Sequence, residues 1–265
     1  MQPQTVSAFE DQVIDDHAID NQTIDDQTKG EQLIGDQVRV EISHRDNTSS
    51  GSEQMHGSKQ DKAGQSTSSP SAAIPLAEDQ YRAGAYSMLA ELLRQPPQQA
   101  LLDTVTGLAD VVEQKDDFAI AMSMLGLSAR AATVNQLDDE YHALFIGLGR
   151  GELVPYGSWY QTGFLMEKPL GVLREDLSKM GFARNDDTCE PEDHVAALCE
   201  VMAMLINQGR DLDQQKIFFD VHVSSWLGQF YSDLSEAKTA VFYRSVARFG
   251  QAFFDFEKKY LAMSV

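Results

Sequence analysis

The sequence predicts an all-α protein: a single globular bundle of about eight or more helices, preceded by a disordered acidic N-terminal tail. Two observations carry the helical expectation. From Glu78 onward, apolar residues recur at three- and four-residue spacing almost without a break, and alternating strand patterns are scarce over the same span. A third sets the tail apart. Residues 1–77 are poor in large apolar groups and carry an imperfect five-residue repeat, from Glu10-Asp11-Gln12-Val13-Ile14 to Gly35-Asp36-Gln37-Val38-Arg39. A pentapeptide solenoid needs a bulky apolar residue at the repeat's central position, which here holds Gln12, His17, Gln22, Gln27, Gln32 and Gln37. We therefore expect disorder over 1–77 and one helical domain over 78–265.

The elements follow in order. Tyr81, Ala85, Met88, Leu89 and Leu92 form a helical stripe that must stop before Pro96-Pro97. Leu101, Val105, Leu108 and Val112 form a second, and Phe118, Met122, Leu125 and Ala129 a third. Asn135 is a suitable N-cap for a fourth, with Asp138, Asp139 and Glu140 in its first turn and Leu137, Tyr141, Leu144, Phe145 and Leu148 as its stripe. Gly149-Arg150-Gly151 ends it, and an irregular aromatic segment spans 152–163. Pro169 opens the next helix, with Leu170, Leu173, Leu177 and Met180 on one face and Gly181 closing it.

The central helix is expected to start with Pro191 at its first position and run to Ile206. Val195, Leu198, Met202, Leu205 and Ile206 make one stripe and Ala197, Val201 and Met204 another, leaving Glu200 nearly alone as polar. A helix apolar on so many sides belongs inside. Its first turn carries Glu192 and Asp193, which suit the helix dipole, and His194, which does not. Past Gly209, Ile217, Phe218, Val221, Trp226, Leu227 and Tyr231 suggest one or two helices. The last helix, from about Glu236 to Tyr260, presents Phe242, Val246, Phe249, Phe253 and Phe256.

Charge excludes several functions. The chain's net charge is −20, of which −8 falls in residues 1–77 and −12 in 78–265. Phosphate contacts need clustered Lys and Arg, so neither a nucleic acid nor an anionic membrane surface is an expected partner. No stretch of 18 apolar residues occurs, and the opening residues do not read as a secretory signal. With only Cys189 and Cys199 there is no disulfide framework, and a soluble cytoplasmic protein is expected.

Two places could hold chemistry. Glu190, Asp193 and His194 have i, i+3, i+4 spacing. They are either metal ligands of an enzyme or a dipole-complementing acidic pair beside a hydrogen-bonded histidine, and without HExxH or CxxC no metal is assigned. Cys189 near His194 lacks a third orienting group, and Gly147-x-Gly149-x-Gly151 follows a helix rather than a strand. The second place is the aromatic segment, where Tyr156, Trp159, Tyr160 and Phe164 join Leu144 and Phe145. It either caps the core or walls an apolar peptide groove with Glu190 and Asp193 at the rim.

Taken together, Tyr141-His-Ala-Leu144-Phe145-Ile-Gly147, Pro155-Tyr156-Gly157-Ser158-Trp159-Tyr160 and Glu190-Pro191-Glu192-Asp193-His194 resemble, in order, the motifs of the TorD/DmsD family of cytoplasmic redox-enzyme maturation chaperones. The resemblance spans about residues 78–260 and implies an all-helical protein without catalysis or a cofactor of its own. It also implies a partner: the twin-arginine signal peptide and body of an apo molybdenum-cofactor oxidoreductase, of formate dehydrogenase or S-/N-oxide reductase type. Such a client is held back from export until its cofactor is inserted, by a monomer or a helix-exchanged dimer. The implied peptide-binding residues are Tyr141, Leu144, Phe145, Pro155, Tyr156, Trp159, Asp193 and His194, with Glu190 beside them. Val154 stands where many members have a second proline, and Gly157 where many have Glu. A metal- or nucleotide-dependent enzyme and an acidic scaffold docking a basic partner are the alternatives.

Overall fold

The computed structural model describes residues 77–110, 116–147, 150–183 and 190–263, and the backbone of Ser43–His44. The five-residue repeat, Val112, Leu148 and Cys189 lie outside the described residues. The helices are α1 (Ala77–Arg94), α2 (Gln99–Thr106) with a 3-10 turn (Gly107–Asp110), α3 (Asp117–Ala131), α4 (Val134–Tyr141), α5 (Gly157–Thr162) and α6 (Lys168–Lys179). They continue with α7 (Val195–Asn207), α8 (Leu212–Phe218), α9 (Leu227–Glu236) and α10 (Phe242–Ala262). α4 and α8 each run on into a π turn, His142–Ile146 and Phe219–Val223. Two-residue strands β1 (Ser43–His44) and β2 (Phe182–Ala183) pair antiparallel.

The fold is all-α, with α7 at its centre. From Val195 to Ile206 every residue is buried except Glu200 and Met204, as expected of a helix apolar on nearly all sides. α1 lies along it, and Arg94 at the end of α1 forms an ion pair with Glu200. α10 packs on α3 and α9, and its Phe249, Phe253 and Phe256 gather around Phe118 of α3 at ring distances of 5.5 to 6.1 Å.

The helical periods are right and several details are not. Tyr81 is 80% exposed, whereas Arg82 beside it is 1% exposed, so the buried face of α1 is rotated from the expected stripe. The reason is the partner 175 residues away: Arg82 Nε and Nη2 donate to Glu257 of α10 at 2.6 and 2.9 Å. α4 is capped by Thr133 rather than Asn135, in a capping box with Gln136. Its stripe is interrupted at the π turn, whose extra residue turns Leu144 fully inward. Gly147 then reverses the chain at φ +60°, where a Cβ would lie 2.1 Å from Arg150 O. Leu153 N–H returns to Leu144 O at 2.8 Å. Gly147 and Gly151 thus stand where the chain doubles back on itself.

α10 begins at Phe242, because Glu236 ends α9. The N–H groups of Val241, Phe242 and Tyr243 donate to the Glu140 carboxylate of α4 at 2.7, 3.1 and 2.8 Å, a cap supplied by another helix. Glu140→Ala should cost about 1–2 kcal/mol, the usual worth of a cap. A thermal melt followed by circular dichroism should fall by about 2–8 °C, and an unchanged melt would show that water replaces the carboxylate.

Candidate functional site

The segment before α5 and the segment before α7 are zipped together. Gly157 N–H donates to Asp193 O and Val195 N–H to Pro155 O, both at 2.9 Å, with Tyr156 opposite His194. This pairing moves the start of α7. His194 N–H is taken by Pro191 O at 3.2 Å and Val195 N–H by Pro155, so Pro191 lies in a turn and the helix starts at Val195, not at the proline. His194 is the N-cap, its Nδ1 accepting from Ala196 N–H at 3.2 Å.

That role accounts for a histidine at a helix N-terminus. Nδ1 must carry a lone pair, which leaves the proton on Nε2, 3.6 Å from Glu190 Oε1. Burial lowers the His194 pKa, with Arg94 acting in the same direction and Glu190 and Asp193 opposing. The unfolded imidazole titrates near pH 6.5 and the folded one lower, so stability is fully present above pH 6.5 and is lost as pH falls below it. His194→Asn keeps a cap acceptor and removes the titration. The variant's urea midpoint should fall less between pH 7.5 and 5.5 than that of the wild type; equal falls would rule out His194 as the source.

The remaining motif residues surround this joint. Tyr156 OH donates to Glu190 Oε1 at 2.8 Å and its ring meets the His194 ring edge to face at 5.0 Å; burial and the Glu190 charge raise its pKa. Tyr141 is buried and donates to Arg94 O at 2.6 Å, and its ring packs on Phe145 at 5.0 Å. Leu144 is 0% exposed. Pro155, Tyr156, Glu190, Asp193 and His194 are thus in one cluster, while Tyr141 and Leu144 belong to the core beneath it. Trp159 sits on α5, in what was expected to be irregular chain, with the Arg150 guanidinium 4.4 Å from its ring centre.

Asp193 is the chemically unusual member. It is 3% exposed, and its Oδ2 accepts from Ser158 N–H at 2.7 Å. Oδ1 has no hydrogen-bond partner. A buried carboxylate oxygen in that state is costly. Asp193 lines a cleft of about 410 Å³. The walls come from α5 (Gly157, Thr162), α6 (Pro169, Val172, Leu173) and the π turn after α8 (Val221, His222), with Leu198 of α7 also contributing. Trp159 is not part of that wall. Between α5 and α6, where Thr162 and Lys168 flank the cleft, Phe164 and Met166 are 68% and 70% exposed, and Met166 has a left-handed φ of 60°.

Sequence reasoning passed over the far wall. His222 is buried, with Nε2 3.1 Å from Asp176 Oδ2; burial lowers its pKa and Asp176 opposes. Val172 lay off the apolar stripe of α6, and an apolar residue out of register was the available signal. Ile217 and Val221, which helped mark the helices past Gly209, are 65% and 48% exposed. Among the described residues no group of three or more His, Cys, Asp or Glu could hold a metal ion, and no helix is long and apolar enough to cross a membrane.

Residues 90–232 match the family of the nitrate reductase delta subunit. The chain is 27% identical over 148 residues to the chaperone protein TorD of Vibrio atlanticus, covering 51% of this chain and 69% of that one. It is 27% identical over 166 residues to TorD of Vibrio cholerae (58% and 76%) and 22% identical over 188 residues to TorD of Shewanella pealeana (64% and 85%). A solved redox enzyme maturation protein from Archaeoglobus fulgidus aligns with a TM-score of 0.45 and 20% identity, over 66% of this chain and 93% of that one. With more than half its length matched, the chain belongs to the nitrate reductase delta subunit family, that of the TorD-type chaperones.

Proposed function

We propose that this protein is a cytoplasmic chaperone that captures the twin-arginine signal peptide of a molybdenum-cofactor oxidoreductase, of formate dehydrogenase or S-/N-oxide reductase type. It also holds the body of the apo-enzyme, assists cofactor insertion and delays export until insertion is complete. The observation that carries this is Asp193, a residue that lines a largely apolar cleft and keeps one buried carboxylate oxygen, Oδ1, without a partner. A guanidinium supplies both a charge and planar donors to such an oxygen, and the apolar stretch behind the arginines covers the walls. Burying about 300 Å² of apolar peptide gives roughly 7 kcal/mol before ordering costs. The walls therefore supply most of the affinity, and Asp193 adds to it while fixing the register.

In this reading Tyr156, Glu190 and His194 hold the Asp193 turn, Pro155 anchors it through its carbonyl, and Tyr141, Leu144 and Phe145 support it from below. Trp159, already stacked with Arg150, offers a second cation-binding face. Residues 78–265 suffice for binding and the acidic tail is not required. Calorimetry of the full chain with a synthetic twin-arginine leader should give a micromolar Kd, with much weaker binding when both arginines are lysines. No heat from the leader, or equal affinity for the two peptides, would reject the proposal.

A further inference from the structure

We infer that the cleft is one half of a longer groove, which receives the leader's apolar stretch as a helix with fixed polarity, its arginine end at Asp193 and its far end at Arg210. The inference rests on the preceding proposal that Asp193 takes a leader arginine. A second hollow, of about 210 Å³, shares His222 with the first. The same three elements line both. On α6 and its C-terminal cap, Val172 and Leu173 face the first hollow, Asp176 and Met180 the second. On α8 and its π turn, Ile217 and Phe218 face the second, Val221 and His222 the first.

These spacings of three and four keep each wall on one helical face. The α7 contributions, Leu198 in the first hollow and Leu205 in the second, are seven residues apart, about 11 Å along the helix. From Pro169 to Met180 the α6 wall extends about 16 Å, the length of roughly ten helical residues. The Asp176–His222 hydrogen bond joins the two walls where the hollows meet. Val172, Val221 and Ile217 stand 48%, 48% and 65% exposed along this line, an apolar rim that the described residues leave open.

Charge supplies the direction. The Asp193 end holds a buried carboxylate oxygen without a partner, with only the exposed Lys168 as a cation on its walls. The other end holds Arg210, whose Nη2 donates to Met180 O at 3.0 Å, and Lys179, paired with Asp176 at 2.8 Å. A helix presents partial negative charge at its C-terminus, so an occupant with cations at its N-terminal end fits one way round.

The test uses the full chain and a synthetic peptide of two arginines followed by a ten-residue apolar helical segment, with a benzophenone at the first or last apolar position. The first-position probe should crosslink near Thr162 and Val172, and the last-position probe near Met180 and Ile217. Ile217→Glu, at an exposed position, should weaken binding at least tenfold without changing the melt. Crosslinks in the reverse order would overturn the polarity. If Asp193→Asn abolishes binding while Ile217→Glu binds like wild type and all crosslinks stay in the first hollow, the groove is wrong and the Asp193 proposal stands. A peptide that fails to bind the wild type overturns both.

Discussion

Asp193→Asn should yield a protein that melts about 2–4 °C higher than the wild type and binds a twin-arginine leader at least 30-fold more weakly. The two effects share one cause. The asparagine oxygen can keep the bond from Ser158 N–H, so α5 stays anchored. The amide nitrogen then replaces Oδ1, the buried oxygen without a partner. Exchanging an unsatisfied carboxylate for a neutral amide recovers about 1 kcal/mol of desolvation, and each kcal/mol is worth about 2–4 °C in a domain of this size.

Binding moves the other way, because the charge that receives the guanidinium is gone and an N–H donor faces it. An exposed arginine–carboxylate pair would be worth about 1 kcal/mol or less. Asp193 is 3% exposed, so the relevant range is the 2–5 kcal/mol lost when one partner of a buried charge pair is truncated. Two kcal/mol is already about 30-fold in Kd. Calorimetry and a melt on one preparation read both effects. A Kd within threefold of wild type would mean that Asp193 is structural and the leader lies elsewhere.

How much of this was legible in the sequence follows from the range of the forces involved. Helices are local, and α7 was recognisable as the buried one because Glu200 is nearly its only polar residue. Its first residue was not, since the carbonyl that fixes the start belongs to Pro155, 40 residues earlier, and outweighs the local preference of Pro191 for a first turn. Tyr81 and Arg82 exchange places for the same reason: an amphipathic count cannot register that an arginine has a carboxylate waiting 175 residues on.

Within the candidate site, the motif residues stood out because a proline, an aspartate and a histidine before a core helix are chemically conspicuous. The walls of the groove did not. Val172, Ile217 and Val221 are ordinary aliphatic residues whose significance is their 48–65% exposure, and exposure is a tertiary property. Tyr141, Leu144 and Phe145 stand among the peptide-binding residues that the resemblance implies, and here the π turn after α4 turns Leu144 into the core and Tyr141 lies buried against Tyr243. One residue added to a helical turn changes which side chains face water, and no periodic pattern signals it.

The largest loss of stability should come from Glu257, far from the cleft. Its carboxylate accepts from Arg82 Nε and Nη2 and from Tyr86 OH at 3.1 Å, and it is 0% exposed. Arg82 also donates to Asp79 and to Gln215, both at 2.9 Å, and its guanidinium lies 4.3 Å from the Tyr260 ring centre. Burial works against the charge on Arg82, but Glu257, with Tyr86 and Asp79 adding to it, more than compensates and the guanidinium pKa ends above its usual value. Glu257→Leu removes that compensation and leaves a buried cation between α1 and α10, at a cost of about 3–5 kcal/mol. The melt should drop by roughly 6–20 °C. Replacing both partners is a different experiment, because neither charge then has to be desolvated. Arg82→Met combined with Glu257→Leu should recover most of the loss, whereas a double variant as unstable as Glu257→Leu alone would show that the hydrogen bonds to Gln215, Asp79 and Tyr86, rather than the charge pair, hold α1 against α10.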